Sequence, residues 1–334
     1  MSAAGVLGHN QKSMAAVRCR LIVNPSAGVM LPPAPSPERI AQTLAEAGWQ
    51  VDLVLSTGPG CTPRLAREAA EEGYDVVIAG GGDGTLNEAL QGVVHTATAL
   101  GVIPLGTANV FAREVGIPLD PIRAAELLTR CEVRRLDVGL TSTGRYFLLW
   151  SGIGFDAEVA KQAELRFKRQ LGILAYIAAA VRTFFWFEGT RAHIELDGRK
   201  FRRRVLLMVV ANTRLYALFP LSAHTRPDDG LFDVVLFGGR GFFTKLRHVF
   251  GFFSGRHLQL PKVLRFTART VSIRSARPLP VQVDGELIGT TPMSFHIQPA
   301  ALRILLPPTA PYGYPDGRFS PGTRAATAPD RSPS

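Results

Sequence analysis

The sequence predicts an α/β protein followed by an all-β part: an N-terminal doubly wound parallel sheet and a C-terminal antiparallel β-sandwich. Up to about residue 140, strand-like and helix-like segments alternate, which is typical of a parallel sheet with helices on both faces. From about residue 133, strand-like runs succeed one another between Gly, Asp-Gly and Pro turns, which is typical of an antiparallel sandwich. At 334 residues, the chain is long enough for both domains.

Changes in composition predict the domain boundaries. Residues 1–17 are expected to be a flexible N-terminus, and residues 18–135 the α/β domain, to which a last strand at 301–306 returns. Residues 136–300 are expected to form the sandwich. Residues 308–334 are rich in Pro, Gly, Ser, Thr and Ala, a composition that predicts a disordered tail.

In the α/β part, apolar runs predict strands and amphipathic runs predict helices. The predicted strands are Arg20–Asn24, Val51–Leu55, Tyr74–Ala79 and Leu100–Ile103. The predicted helices are Pro37–Ala47, Thr62–Glu72 and Thr85–Val94. A polar, glycine-bearing loop follows each strand, and such loops meet at the carboxyl edge of a parallel sheet, where ligands bind.

The sandwich is predicted from seven further runs that are separated by turns. These runs are Tyr146–Trp150, Arg191–Leu196, Val205–Val210, Leu231–Phe237, Thr270–Arg274, Leu279–Val283 and Met293–Ile297. Helical insertions around 158–185 and 241–253 interrupt them.

The glycine-rich loop between the third strand and the third helix is the strongest functional signal. Gly80, Gly81, Gly82 and Gly84 occupy four of five positions, so the backbone can approach a ligand closely and direct its N–H groups outward. The helix that follows adds partial positive charge at its N-terminus. The loop therefore predicts a phosphate site, and the α/β domain is predicted to bind a nucleotide.

Asp83 lies inside this loop, where a carboxylate would repel phosphate unless it manages a metal, a water or a substrate hydroxyl. Those needs are typical of phosphoryl transfer. The alternative is a tight glycine turn in which Asp83 only caps a helix. No Gly-Lys-Ser/Thr follows, and the glycine spacing does not fit a dinucleotide fingerprint.

A second strand-to-helix passage runs from Pro104 to Arg113. Thr107 and Asn109 are predicted to cap its helix, and their side chains can also bind a nucleotide phosphate or sugar. A capping role alone remains the alternative.

Two acidic turns follow in the second half of the chain. Asp228-Asp229-Gly230-Leu231 predicts either a simple turn or a Mg²⁺ site. Val283-Asp284-Gly285-Glu286 predicts an Asp-Gly hairpin, and if its carboxylates face a cleft, one could accept a proton from a substrate hydroxyl.

Charge and aromatic content indicate an anionic partner. The formal net charge is +11, and the aromatic segments Thr183–Phe187 and Phe242–Phe253 lie near basic residues, which suits a lipid mouth or a membrane interface. The alternative is an ordinary core helix with a solvated basic face. No motif supports nucleic-acid binding, so charge alone carries that option.

The three cysteines have no metal-ligand spacing and form no even disulfide set, which favours a reducing compartment. No signal peptide and no run of about 18 apolar residues is evident. We therefore expect a cytoplasmic protein that contacts the inner face of the membrane peripherally.

With these motifs in order, the chain resembles the diacylglycerol kinase catalytic family from about residue 20 to 306, and within it the bacterial soluble lipid kinases, relatives of sphingosine and ceramide kinases. Gly81–Thr85 alone is shared with NAD kinases and 6-phosphofructokinases. Leu86-Asn87-Glu88 directly after it, and Pro104–Asn109 later, make the resemblance more specific. Gly152–Glu158 also matches the start of the family's second domain.

The resemblance implies ATP between the domains, and Mg²⁺ held by Asp229 with the backbone carbonyl of Leu231. It implies that Asp284 or Glu286 is the general base and that Asp83 belongs to the network that holds the catalytic Mg²⁺. The implied nucleotide contacts are Asn24, Gly28, Ser56 or its neighbour Thr57, Gly81, Gly82, Asp83, Gly84, Thr85, Leu86, Asn87 and Thr107.

The chain departs from the family pattern at two places. Val110 stands where the family usually has Asp, and Ala217-Leu218-Phe219 stands where a glycine-rich stretch often precedes the acidic turn. The second departure bears on the entry of the lipid headgroup, and so on the substrate more than on the reaction.

The sequence thus predicts an ATP- and Mg²⁺-dependent lipid kinase at a membrane surface, with diacylglycerol as the default acceptor and phosphatidic acid as its product. A sphingoid base, phosphatidylglycerol or NAD as acceptor, and a non-catalytic nucleotide or lipid sensor, are the alternatives. A homodimer is left open.

Overall fold

The predicted fold class is confirmed by the computed structural model, which describes residues 16–25, 35–58, 60–159, 183, 186–216 and 219–315. Its α/β part contains β1 (Arg18–Val23), α1 (Pro37–Glu46), β2 (Gln50–Leu55), α2 (Cys61–Glu71), β3 (Val76–Gly81), α3 (Asp83–Val93), β4 (Ala99–Pro104), α4 (Val110–Val115) and α5 (Pro121–Leu128).

The second part is built mainly from strands. In chain order these elements are β5 (Glu132–Thr141), β6 (Tyr146–Phe147), β7 (Trp150–Gly154), β8 (Thr190–Leu196), β9 (Arg199–Val205), β10 (Leu207–Ala211), β11 (Leu215–Tyr216), β12 (Phe219–Pro220), β13 (Phe232–Phe237), α6 (Phe242–Phe253), a 3-10 turn at His257–Gln259, β14 (Val263–Ala268), β15 (Thr270–Ser275), β16 (Pro280–Val283), β17 (Glu286–Thr290), β18 (Met293–Leu306) and β19 (Tyr314–Pro315).

One long sheet runs through both parts, in the order β2-β1-β3-β4-β18-β15-β8-β9. Strands β2, β1, β3 and β4 are parallel neighbours. Strand β18 connects the two parts because Ile304 lies opposite Leu100 of β4, while Phe295 lies opposite Val271 of β15. A second sheet, β14-β13-β10-β7-β16-β17, covers the β8, β15 and β18 side of the long sheet.

The cores follow from these layers. Every residue of β3 and β4 is buried, as expected for strands with helices on both faces. Helices α2, α3 and α4 cover one face, and α1 and α5 the other. Between the two sheets of the sandwich, Phe147 stacks on Phe232 and meets Phe295 edge-on. The helices pack against the faces of the sheet, so the carboxyl ends of β1 to β4 are followed by loops.

Two predictions need correction or lie outside the described residues. The tail was expected from residue 308, but residues 308–315 are ordered because Arg134 donates to the carbonyls of Ala310 and Tyr312, at 2.7 and 2.8 Å, and β19 pairs with β5. The helical insertion around 158–185 falls almost wholly outside the described residues, whereas that around 241–253 is α6. In the described part of the chain, no helix is long and apolar enough to cross a membrane.

The ordered end of the chain provides a stability prediction. The Tyr312 hydroxyl donates a hydrogen bond of 2.6 Å to Glu114, whose side chain is fully buried. Replacing Tyr312 with Phe leaves this buried acceptor one donor short, so we expect the free energy of unfolding to fall by about 1–2 kcal/mol. Urea denaturation would measure the change. Tyr146→Phe is the control, and equal unfolding midpoints for the two variants would contradict the assignment.

Candidate active site

The loops that follow β3 and β4 are in backbone contact. Gly81 and Pro104 pair at the ends of these strands, and the next residues keep the chains together. A Cβ atom on Gly106 would lie 2.5 Å from the Cα of Gly82, a distance that no side chain could accept. Glycine is therefore required here by a close approach of two loops, and the two sequence motifs form one structure.

Asp83 connects the two loops. Its carboxylate accepts hydrogen bonds from the backbone N–H groups of Val110 at 2.9 Å and Phe111 at 3.1 Å, so it caps α4 from outside that helix. Burial raises the pKa of Asp83 above its ordinary value, and these backbone donors oppose the rise. Val110 contributes only its backbone, so the departure from the family pattern at this position leaves the contact intact.

The predicted capping of α4 by Thr107 and Asn109 is wrong. The Asn109 side chain accepts from the N–H of Gly106 at 3.1 Å and donates to the carbonyl of Gly106 at 2.7 Å, so it holds the loop shape. Thr107 is exposed. The capping rule considers neighbours in sequence, whereas the cap of α4 comes from a residue 27 positions away.

Several predicted nucleotide contacts lie at the carboxyl edge of the parallel strands. Asn24, after β1, donates to the Thr85 hydroxyl at 3.4 Å. Ser56 follows β2 and is buried, while Thr57 is exposed. The Leu86 side chain is in the core, which leaves only its backbone for a ligand. Gly28 lies outside the described residues.

The predicted acidic hairpin reaches the glycine loop. Asp284 and Gly285 have φ angles of 46° and 90°, as a two-residue hairpin turn requires, and they join β16 to β17. The Asp284 carboxylate accepts from the Asn87 side chain of α3 at 2.7 Å. It also accepts from the backbone N–H groups of Leu148 at 2.9 Å, and of Leu149 and Trp150 at 3.0 Å each.

A second Asp-Gly hairpin in the chain shows what such a turn does without a site. Asp197 and Gly198 join β8 to β9 with φ angles of 46° and 82°, and Asp197 accepts from the N–H groups of Arg269 and Thr270. Burial acts to raise the pKa of Asp197, but hydrogen bonds outweigh it and the pKa is lowered. Burial raises the pKa of Asp284 to about 6 despite its donors. Perturbation of this kind is typical of functional carboxylates.

Glu286 lies two residues beyond Asp284 and differs from it in exposure. Its side chain is 57% exposed, and one oxygen, Oε2, accepts from Arg145 at 2.5 Å. Arg145 and Gln91 are site residues that the sequence analysis missed. Gln91 donates to the carbonyl of Asn87 and exchanges hydrogen bonds with the backbone of Tyr146, but no local pattern marks a pairing across 55 residues.

The predicted metal residues lie in a separate turn. Asp229 accepts from the N–H of Leu231 at 3.0 Å, and Gly230 donates to Asp137 of β5 at 2.7 Å. Burial raises the pKa of Asp229, and the neighbouring carboxylates of Asp137, Asp233 and Asp228 raise it further.

A cation beside Asp229 would relieve this repulsion, so the turn fits one carboxylate ligand for Mg²⁺. Among the described residues, no group of three or more His, Cys, Asp and Glu side chains is placed to hold a metal. Protein Mg²⁺ sites often use one or two carboxylates and complete the shell with water and phosphate.

Comparisons with known proteins agree with this architecture. A family model of the diacylglycerol kinase catalytic domain matches residues 18–141, and one of the YegS C-terminal NAD kinase β-sandwich-like domain matches residues 151–306. Diacylglycerol kinase of Staphylococcus carnosus is 30% identical over 282 residues, 83% of this chain and 91% of the relative. Diacylglycerol kinase of Bacillus subtilis is 30% identical over 285 residues, 83% of this chain and 92% of the relative.

A solved structure of a Bacillus anthracis protein assigned as a diacylglycerol kinase superimposes with a TM-score of 0.74 and 25% identity, and covers 88% of this chain and 98% of that one. The likeness therefore spans both domains in sequence and in structure. The chain belongs to the diacylglycerol kinase family, and with it to the lipid kinases.

Proposed function

We propose that this chain is an ATP- and Mg²⁺-dependent kinase of a lipid alcohol, with diacylglycerol as the acceptor and phosphatidic acid as the product. The hydrogen bond between Asn87 and Asp284 carries the proposal, because it joins the helix of an anion-binding loop to a pair of carboxylates. A site that brings phosphate-binding backbone and acidic side chains together meets the needs of phosphoryl transfer.

The two carboxylates of the hairpin are suited to different roles. Each oxygen of Asp284 already accepts two donors, so its four acceptor positions are filled, and this residue positions the loop at Leu148–Trp150. Oε1 of Glu286 accepts from no described residue. We therefore favour Glu286 as the group that takes the proton while the substrate oxygen bonds to the γ-phosphorus and ADP leaves.

The nucleotide is proposed to bind along the glycine loop, with Asn24, Thr85 and Thr107 at its edge. Mg²⁺ offsets charge on the phosphates when bound, and Asp229 and the Leu231 carbonyl are its proposed ligands. The protein is proposed to work in the cytoplasm at the inner face of the membrane.

A transfer assay tests the reaction and its acceptor. Radiolabelled ATP would be supplied with diacylglycerol, a sphingoid base, phosphatidylglycerol or NAD, with and without EDTA. NAD is included because the second family model describes an NAD kinase-like sandwich. We expect label in phosphatidic acid, lost with EDTA. Label only in NADP, or ATP consumption without a labelled product, would overturn the lipid kinase proposal.

Glu286→Gln tests the assigned base. We expect kcat to fall by about 10²–10⁴-fold, the usual contribution of a general base, with KM for ATP unchanged. The fold should be preserved because Glu286 is exposed. Glu68→Gln is the matched control, since Glu68 is also paired with an arginine, Arg64, at 2.6 Å. Equal activity of the two variants would reassign the base.

A further inference from the structure

Helix α6 has its polar and apolar sides reversed relative to an ordinary surface helix. Three of its phenylalanines point outward, since Phe243 is 83% exposed, Phe250 71% and Phe253 65%, whereas Phe252 is half-buried against the core. Its buried side contains Lys245, His248 and Gly251. A helix of a soluble domain normally buries the apolar residues and exposes the basic ones.

Specific contacts hold α6 in this orientation. The buried His248 ring forms a hydrogen bond of 2.8 Å with the carbonyl of Gly238, at the end of β13. Lys245 donates to the carbonyl of Phe187 at 3.5 Å. A Cβ atom on Gly251 would lie 2.6 Å from the Leu260 side chain, so the helix packs closely on this side. Because these contacts fix the polar side of α6 against the protein, the opposite side, with its phenylalanines, faces solvent.

A strongly basic sheet face lies near this helix. Arg191 of β8 pairs with Arg204 of β9, and the next row places Arg274 of β15, His193 and Arg202 side by side. We call this set the arginine face. Like charges directly opposite each other destabilise a sheet, and a bound anion would relieve their repulsion.

Few acidic side chains neutralise the positive charges of the arginine face. In the described part of the chain, no acidic side chain pairs with Arg191, Arg202 or Arg274, and these side chains are exposed. They line an open cleft of about 680 Å³. Sheet residues that are basic, exposed and unpaired are free to bind phosphate groups.

Arg240 connects the arginine face to α6. It lines a neighbouring cleft of about 280 Å³ together with Arg191, Arg204 and Arg277, and it pairs at 3.9 Å with Glu188 of the same cleft. Phe242, the first residue of α6, follows two positions later, so aromatic and basic groups adjoin. Trp186, which is 82% exposed, lies just before the start of β8.

We propose that the exposed phenylalanines of α6 and the arginine face together form a docking surface for an anionic lipid bilayer. The phenylalanine rings enter the headgroup region, where apolar side chains gain by leaving water, and the arginines bind lipid phosphates. This inference rests on the proposed function, in which the substrate is a membrane lipid. A soluble polyanion would engage the arginines but would not explain the outward phenylalanines.

The test is binding to vesicles without ATP, so that it does not depend on catalysis. Vesicles of phosphatidylcholine with phosphatidylglycerol, and of phosphatidylcholine alone, would be sedimented with the full chain at low and high salt. We expect binding to the anionic vesicles that weakens with salt. Phe243→Gln and Phe250→Gln should each weaken it about tenfold. Arg191→Gln with Arg202→Gln and Arg274→Gln should weaken it about a hundredfold.

Matched controls separate docking from folding and from the proposed reaction. Leu119→Gln removes an exposed apolar residue, and Arg130→Gln an exposed arginine, from the α/β domain, and both should bind vesicles as the wild type does. Circular dichroism would show that the variants are folded. Undiminished vesicle binding by the phenylalanine variants, or binding of inorganic phosphate without vesicle binding, would overturn the proposal.

Activity on dispersed short-chain diacylglycerol distinguishes the two proposals. If docking is correct, the α6 variants keep this activity while losing it on vesicles. If wild type and variants bind vesicles as expected but none phosphorylates the short-chain lipid, docking stands and the proposed reaction fails.

Discussion

Replacing Asp83 with Asn should abolish phosphoryl transfer while the protein remains folded. The carboxylate accepts two backbone hydrogen bonds at the start of α4, and an amide has only one acceptor oxygen for them. The amide N–H₂ would then face a backbone donor and push the loops at Gly82 and Gly106 apart. We expect kcat to fall at least about 10²–10³-fold, as when one preorganised electrostatic contact is lost.

The same substitution should lower the free energy of unfolding by about 1–3 kcal/mol, because one buried donor loses its acceptor. Asp120→Asn is the matched control. Asp120 also caps a helix of this domain, by accepting from the N–H of Arg123 at 2.8 Å, but it has no contact with the glycine loop. Kinetic assays and urea denaturation of both variants would separate the effects. Near-normal turnover of the Asp83 variant would contradict the assigned role. If Asp120→Asn lost as much turnover, the effect of Asp83→Asn would be explained by the loss of a helix cap.

Much of the α/β half could be predicted because its signals are local. Buried strands read as apolar runs, and glycines mark the strand-to-helix turns. Strands β9 (Arg199–Val205) and β14 (Val263–Ala268) were missed because their exposed faces are polar or basic, which hides the apolar alternation. β9 is the less regular of the two, because five of its first six residues are basic and all six are exposed or half-buried.

The sequence marked Asp83, Asn87 and Asp284 as candidate site residues, but it did not show how they are connected. The Asp-Gly pair at 284–285 predicted a hairpin, and the hairpin exists, yet the same pair at 197–198 makes a similar turn without approaching the glycine loop. What distinguishes Asp284 is a hydrogen bond to Asn87 across 197 residues. Such a contact depends on how the two sheets pack, and no spacing in the sequence records it.

Asp284 is the residue whose loss should disturb the structure most. Its carboxylate accepts four hydrogen bonds from α3 and from the loop at Leu148–Trp150. Asp284→Ala leaves these donors without an acceptor, so we expect the free energy of unfolding to fall by about 3–5 kcal/mol, as when one partner of a buried charged network is removed. Asp284→Asn keeps one acceptor oxygen, so its free energy of unfolding should fall less than that of Asp284→Ala. Activity should fall strongly in both variants, because Glu286 depends on this turn for its position.

The raised pKa of Asp284 determines how stability should depend on pH. Burial raises the pKa of Asp284 to about 6 from an ordinary value of 3.8, so the folded state holds this proton more tightly than the unfolded chain does. The contribution of Asp284 to stability is therefore full below about pH 4 and is lost as the pH rises through about 6. The stability difference between the wild type and Asp284→Asn should narrow over that window.

Activity should change in the opposite direction. The ionised carboxylate accepts all four donors, whereas a protonated one would direct its O–H at a donor, so kcat/KM should rise with pH up to about 6 and then level off. Asp197→Asn is the control, since Asp197 occupies the same kind of turn, and its hydrogen bonds lower its pKa although burial acts to raise it. That variant should keep the wild-type pH profile and turnover. If the residual activity of Asp284→Asn still rose with pH up to about 6, another group would have to cause that rise. The hydrogen bond between Asn87 and Asp284 would then have a structural role alone.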